Sequence, residues 1–146
     1  MSFVDSDIAA AVAARVATVT VASTVAAIRG ATAAPPDKLQ VLPYAVVLPS
    51  SDRVEHYASA RKVTCSFTVR LYLGSPQDFA RRFPALHTYR TALRDIFVGD
   101  VTLGGLVDLA TVDSTRIGAD MYAGDEFVTV EATVTCVKGE SLAYQA

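Results

Sequence analysis

The sequence predicts an α+β domain with a mainly antiparallel sheet of four to five strands and two helices on one face, in the order α-β-β-α-β-β. Apolar and polar residues alternate from Val63 to Leu73 and again from Val128 to Cys136, which indicates two half-buried strands. Apolar residues recur at helical spacing after Ser75-Pro76, which indicates a helix. The 146 residues have the usual length of one domain, so we take residues 1–146 as a single domain.

The first predicted element is a long helix. Polar residues from Ser2 to Asp7 can cap its start, and acidic side chains there suit the helix dipole. Gly30 and the Pro35-Pro36 pair would end it after Arg29. The β-branched stretch from Val16 to Val25 also fits a strand, but the length of the segment favours a helix.

The apolar residues of this predicted helix fall on two faces. One face holds Ile8, Val12, Val16 and Val19, and a nearly opposite one holds Val21, Val25 and Ile28. A helix on a sheet needs one apolar face. The second face is therefore either buried within the same domain or in contact with another subunit.

The middle of the chain predicts two strands joined by a polar loop. The apolar run from Leu39 to Leu48 contains Pro43, which suits an edge, a start or a bulge. Residues 49–62 are too hydrophilic for a core and too many for a hairpin turn, so we expect them to form a loop. The alternating strand from Val63 to Leu73 follows.

The second helix is predicted to begin at Ser75-Pro76, with a capping hydroxyl and a proline in its first turn. Pro84 should kink or restart it. Its four arginines fit a solvated face better than a phosphate site. The remainder predicts a short strand from Leu106 to Val112, a turn at residues 122–125 and the final alternating strand.

Composition excludes several functional classes. The net charge is −2 and the sequence pI is about 5.6, so the chain lacks the basic footprint of a nucleic-acid-binding protein. The N-terminal apolar stretch is preceded by Asp5 and Asp7 and interrupted by Arg15, which argues against a signal peptide or membrane span. We expect a protein made in the cytoplasm that does not contact a membrane.

The residues for catalysis or metal binding are sparse. The chain has two histidines and two cysteines, and Cys65 and Cys136 fall in strand patterns where a thiol packs as a small apolar group. Gly104-Gly105 lacks the lysine and helix of a phosphate loop. We expect no catalytic residue, cofactor or metal, although a sequence does not show how close its carboxylates lie. A small hydrolase or ligand-binding domain is the alternative, and it requires a concave pocket.

Apolar residues make up 51% of the chain and charged residues 19%, so apolar surface exceeds the usual need of a lone fold. The chain also contains the short motifs Leu42-Pro43-Tyr44, Leu93-Arg94, Leu103-Gly104-Gly105, Asp108 and the run Tyr122-Ala123-Gly124-Asp125-Glu126-Phe127. Together with the order of elements, these motifs resemble the tail terminator proteins of long-tailed bacteriophages.

This resemblance implies a virion structural protein without enzyme activity. Its expected partners are other copies of itself in a ring of six, the tail tube protein, and head-completion or neck proteins. DNA would pass through the lumen of the ring without specific binding, and an acidic balance suits that passage. A head-completion or connector subunit of the neck is the nearest alternative, and a non-viral assembly protein, such as part of a contractile injection machine, is a further one.

The candidate subunit contacts fall in three segments. The first is the second face of the N-terminal helix, the second lies in the polar loop, and the third is the turn before the last strand. The candidates are Val21, Val25, Ile28, Arg53, Val54, Glu55, His56, Tyr57, Tyr122, Asp125, Glu126 and Phe127.

Overall fold

A computed structural model describes residues 5–23 and 25–141. The capping predicted from Ser2 lies outside these residues. The helices and strands, in chain order, are α1 (Asp5–Ala17), β1 (Gly30–Thr32), β2 (Tyr44–His56), β3 (Ala60–Gly74), α2 (Phe79–Arg94), β4 (Leu109–Tyr122) and β5 (Asp125–Ser141). One turn of 3-10 helix, Pro76–Asp78, leads into α2.

The sheet has five strands in the order β1-β2-β3-β5-β4. The α+β class, the two helices and the number of strands are confirmed. The predicted element order was incomplete, because the short strand β1 precedes β2 and pairs parallel to it. The other three pairings are antiparallel. β1 was missed because a strand of three residues is too short to show a periodicity of two, and it falls between the predicted helix end at Arg29 and the Pro35-Pro36 pair.

The predicted helix as far as Arg29 is wrong, because α1 ends at Ala17. The side-chain hydroxyl of Thr18 donates to the carbonyl of Arg15 at 2.8 Å, which gives the last turn a side-chain partner. The β-branched residues beyond it lose rotamer freedom in a helix. In the structure they continue as an irregular segment toward β1.

The predicted polar loop at residues 49–62 is also wrong. Here β2 and β3 form a long hairpin that pairs as far as His56 with Arg61 and turns between Tyr57 and Ala60. The strand assignment was missed because no apolar alternation marks these residues. Both faces of the segment are exposed to solvent. Backbone hydrogen bonds to β3, rather than burial of side chains, therefore keep it extended.

Both helices cover the same face of the sheet. In α1, Ile8, Val12 and Val16 are fully buried at the end formed by β1 and β2, while α2 packs on β4 and β5 through residues such as Leu86 and Leu93. Each such aliphatic side chain stabilises the fold by about 1.5–3 kcal/mol relative to an exposed one. α2 continues through Pro84 and does not restart there.

Gly30 is required by the close approach of β1 to β2. A Cβ at this position would lie 2.8 Å from Cε2 of Tyr44, the residue paired with it. We expect Gly30→Ala to displace the Tyr44 ring and lower the free energy of unfolding by about 1–3 kcal/mol in urea titration. Gly118→Ala is the matched control, because its Cβ would meet only ordinary contacts at 3.7 Å or more. Equal stability of the two variants would contradict this packing.

Cys65 and Cys136 are opposite each other in the β3–β5 register, both are buried in the core, and no disulfide joins them. Burial, followed by the charge of Asp113, raises the pKa of Cys136 to about 11 from an ordinary value of 9.0. The stabilisation that this neutral thiol provides is therefore present below pH 9 and lost as pH rises toward 11. We expect wild type to lose more stability between pH 8 and pH 11 than Cys136→Val, measured by urea titration. Identical pH profiles would rule out this contribution.

Candidate subunit-contact surfaces

The far end of the β2–β3 hairpin forms an arm, which we define as residues 51–62. Residues 51–54 are all exposed. Successive side chains of a strand point to opposite faces, so exposure of each one means that neither face of this part of β2 is covered. The arm brings together five predicted contact residues, namely Arg53, Val54, Glu55, His56 and Tyr57.

The tip of the arm is held by a tight turn and weak polar contacts. The Tyr57 amide donates to the Ala60 carbonyl at 2.7 Å. Glu55 accepts from the Tyr57 hydroxyl at 3.4 Å and lies 3.8 Å from Arg53, whose side chain is 78% exposed. Exposed ion pairs of this kind contribute little stability. Val54 and Tyr57, at 42% and 56% exposure, leave apolar surface at the tip.

The predicted turn at residues 122–125 is confirmed. Ala123 and Gly124 both have positive φ, as a two-residue hairpin turn requires, and Asp125 and Glu126 are exposed. Phe127 packs edge-on against Tyr72 with ring centroids 5.7 Å apart. Tyr122 packs on the same ring at 5.2 Å, and its hydroxyl donates to the carbonyl of Pro36. These two aromatic residues therefore hold the fold together, whereas the two acidic residues face solvent.

The arm and this turn lie at opposite ends of the sheet. Strand β5 begins at the turn with Asp125 and ends beside the arm, where Ser141 pairs with Ala60. Its 17 residues span roughly 55 Å at about 3.3 Å per residue. The structure therefore gives the molecule two distinct ends and does not bring the two predicted contact segments together.

The structure removes the reason for proposing the N-terminal segment as a subunit contact. Val21, Val25 and Ile28 do not share a helical face, because α1 ends before them. Ile28 is buried in the core, and Val21 and Val25 are partly buried against it. Their apolar character is used mainly within this subunit, in a connection that crosses from α1 to β1.

Two long strand edges have few backbone hydrogen bonds along their outer sides within residues 5–23 and 25–141. The outer edge of β2 pairs with β1 only from Tyr44 to Val46 and is unpaired from Val47 onward. Strand β4 closes the other side of the sheet, and its outer edge is contacted where the Ala110 amide donates to the Val101 carbonyl at 2.7 Å. Unpaired edges are templates for pairing with another chain.

A second exposed apolar group adjoins the β4 edge, and we call it the edge patch. It comprises Val98, Val101 and Leu109, of which Val98 is 69% exposed. The sequence analysis missed these residues. Their only signal was the presence of apolar side chains in a segment of tight turns, where polar residues are usual.

The sheet face opposite the helices carries a lattice of ion pairs. Glu131 accepts from Arg70 at 3.0 Å and from Arg116 at 3.2 Å, and Asp120 lies 3.7 Å and 3.8 Å from the same two arginines. Asp120 also accepts from the Thr129 hydroxyl at 2.6 Å. Burial opposes the charge of Arg70, but hydrogen bonds to Tyr72 and Glu131 and the charge of Asp120 outweigh it and raise its pKa.

The concave features are shallow. A groove of about 470 Å³ opens beside the turn and is lined by Ser75, Pro76, Gln77, Asp125, Glu126 and Phe127.

Across the described part of the chain, no three His, Cys, Asp or Glu side chains are grouped to hold a metal ion. No helix in the described ranges is long and apolar enough to span a bilayer.

Comparison of the sequence with protein-family models and with curated proteins gave no match.

Glu131 is the centre of the ion lattice, with its side chain 16% exposed. Glu131→Gln removes the charge that faces Arg70 and Arg116, so we expect the free energy of unfolding to fall by about 1–2 kcal/mol in urea titration. Glu55→Gln, in the exposed arm, is the control and should change stability by less than about 0.5 kcal/mol. The lattice has no stabilising role if the two variants unfold alike.

Proposed function

We propose that this chain is a virion structural protein that forms a ring on the tail tube of a long-tailed bacteriophage, stops growth of the tube and offers its other face to the neck. The observation that carries the proposal is the pair of different, largely unpaired edges on opposite sides of one sheet. A subunit with two different edges associates head to tail, and such association produces closed rings when the rotation between neighbours closes.

The two ends of the molecule support a capping role. One end carries the arm with Val54 and Tyr57, and the other carries the turn with Asp125 and Glu126. A ring of such subunits has chemically different faces. One face of the ring would fit the end of the tube. The other face would not reproduce that end, so no further tube subunit could add.

The charge distribution is compatible with passage of DNA. The chain is net acidic, and in the ion lattice Arg70 and Arg116 are each matched by a carboxylate. Paired guanidinium groups offer less attraction to phosphates than free ones. The proposed ring therefore lets a duplex pass without specific binding.

The alternative functions require different structural features. A hydrolase or ligand-binding domain requires an enclosed apolar site with convergent polar groups, whereas the groove beside the turn is open. A head-completion or connector subunit shares ring assembly with a terminator, so the shape of the fold does not separate the two. The resemblance carried by the run from Tyr122 to Phe127 favours the terminator.

The test is a tube-assembly reaction with purified tail tube protein of the same virus. Adding this chain during assembly should shorten the tubes in proportion to the number of rings added, because each ring ends one tube, and electron microscopy should show a ring at one tip. The mass of this protein bound at a tube tip, measured by scanning transmission electron microscopy, should be a whole-number multiple of 15.4 kDa that corresponds to a ring.

Bovine serum albumin at the same mass concentration is the inert control. Unchanged tube length together with rings on portal complexes would show a head-side adaptor instead. A chain that remains monomeric and binds neither structure would refute the proposal.

A further inference from the structure

We propose that Cys65 and Cys136 form a thiol-exchange site, at which a small disulfide compound converts the two thiols into a disulfide bond that joins β3 to β5. The two residues are directly opposite each other in the β3–β5 register, and both are buried. This site goes beyond the proposed function and does not depend on ring assembly.

The hydrogen-bond pattern of the sheet fixes the spacing of the two backbones. Tyr57 and Ala60 exchange both backbone hydrogen bonds at the hairpin turn, at 2.7 and 3.4 Å. Such pairs recur at every second residue of an antiparallel ladder, so residues 60, 62, 64 and 66 direct their backbone groups to β2 and Cys65 directs its own to β5. Cys65 and Cys136 are therefore a hydrogen-bonded pair, for which the Cα atoms lie about 5.5 Å apart. This separation is within the range of about 4.4–6.8 Å that a disulfide spans.

The side chains start slightly farther apart than a disulfide holds them. The Cβ atoms of a hydrogen-bonded pair lie up to about 5.5 Å apart, whereas a disulfide keeps them at about 3.5–4.5 Å. The two strands must therefore approach each other by about 1 Å when the bond forms. A disulfide under such strain is reduced easily, so we expect a reversible bond rather than a permanent one.

A pocket of about 240 Å³ gives access to this site, and Cys65 is among the residues that line it. Asp52 is opposite Cys65 in the β2–β3 register, and Pro49 is opposite Phe67. All four residues line the pocket. Because directly opposite residues of two strands share a face, the pocket lies on the face of the sheet that carries Cys65. Asp52 and Pro49 are exposed, so a small solute reaches the pocket from solvent.

The pocket assigns the first step to Cys65. Cys136 is fully buried and lies between Cys65 and Ala110 of β4. Burial, followed by the charge of Asp113, raises the pKa of Cys136 to about 11, so its thiol is protonated at neutral pH. Because the thiolate is the nucleophile in disulfide exchange, Cys65 attacks the small disulfide and Cys136 acts second.

The exchange needs no oxidant other than the small disulfide. The Cys65 thiolate attacks one sulfur of that compound, forms a mixed disulfide and releases one small thiolate, which takes up the proton that Cys65 lost. The Cys136 thiolate then attacks the sulfur of Cys65, forms the Cys65–Cys136 bond and releases the second small thiol, which receives the proton of Cys136. Two electrons pass from the two protein thiols to the reagent. The second step is intramolecular, so a small thiolate fraction at Cys136 is sufficient.

Asp52 indicates which small disulfides react fastest. Its exposed carboxylate at the pocket attracts cationic solutes and repels anionic ones. We expect cystamine, which carries two ammonium groups, to react faster than oxidised glutathione, which is net negative.

Mass spectrometry of the native full-length chain tests the site. After incubation with excess cystamine at about pH 8.5, we expect the mass to fall by about 2 Da, because two thiol hydrogens are lost and no adduct remains. Trypsin should then release residues 63–70 linked to residues 117–138, and dithiothreitol should restore the original mass. A native chain that keeps both thiols, while both react in urea, would overturn the proposal.

Single variants test the order of the two steps. Cys136→Val retains the entry thiol but cannot complete the exchange, so it should gain one cysteamine adduct of about 75 Da. Cys65→Val retains only the buried thiol and should gain none under the same conditions. An adduct on Cys65→Val and none on Cys136→Val would refute the assignment of the first step to Cys65.

Asp52→Asn tests the preference for cationic disulfides. We expect it to lower the ratio of the cystamine rate to the glutathione rate by about threefold or more, because one nearby negative charge is removed. Glu55→Gln is the matched control, because Glu55 lies on the opposite face of the arm and should leave the ratio unchanged. Equal ratios in wild type and Asp52→Asn would refute the role of this carboxylate.

Discussion

The antiparallel pairing of β3 with β5 is the constraint on which the rest of the structure depends. It runs from Ala60 with Ser141 to Gly74 with Val128 and forms the centre of the sheet. Both strands alternate between buried apolar and half-buried polar residues, so a slip of one position would turn every core side chain outward. This register is therefore strongly specified. It also sets the heights at which β2 and β4 present their edges.

Because β3 and β5 continue past the helices, the molecule has two structurally different parts. Near the turn at residues 122–125, Tyr72, Tyr122 and Phe127 pack edge-on and hold the strand ends together. At the arm, the sheet continues with β2 exposed on both faces. A hairpin with so little covered surface contributes little to the stability of a lone subunit.

The helices are fixed to the sheet and to each other by polar as well as apolar contacts. The Arg15 guanidinium at the end of α1 donates to the carbonyl of Ile96, in the turns that follow α2. It also donates to the carbonyl of Val98, a member of the edge patch. This arginine gives hydrogen-bond partners to two carbonyl groups in the turns that follow α2. The position of the edge patch thus depends on the packing of both helices.

Sequence alone determined the α+β class, the two central strands and the turn before β5, because each carries a periodicity or a turn signal that acts over a few residues. Tertiary structure decided where α1 ends, that residues 49–62 belong to the β2–β3 hairpin, and that Val101 lies beside the start of β4. Arg53, Val54 and Tyr57, predicted as subunit contacts, are exposed, but the row that Arg53 shares with Leu109 passes through β3 and β5. Local patterns do not carry such information, since pairing between distant segments is settled only when the whole sheet forms.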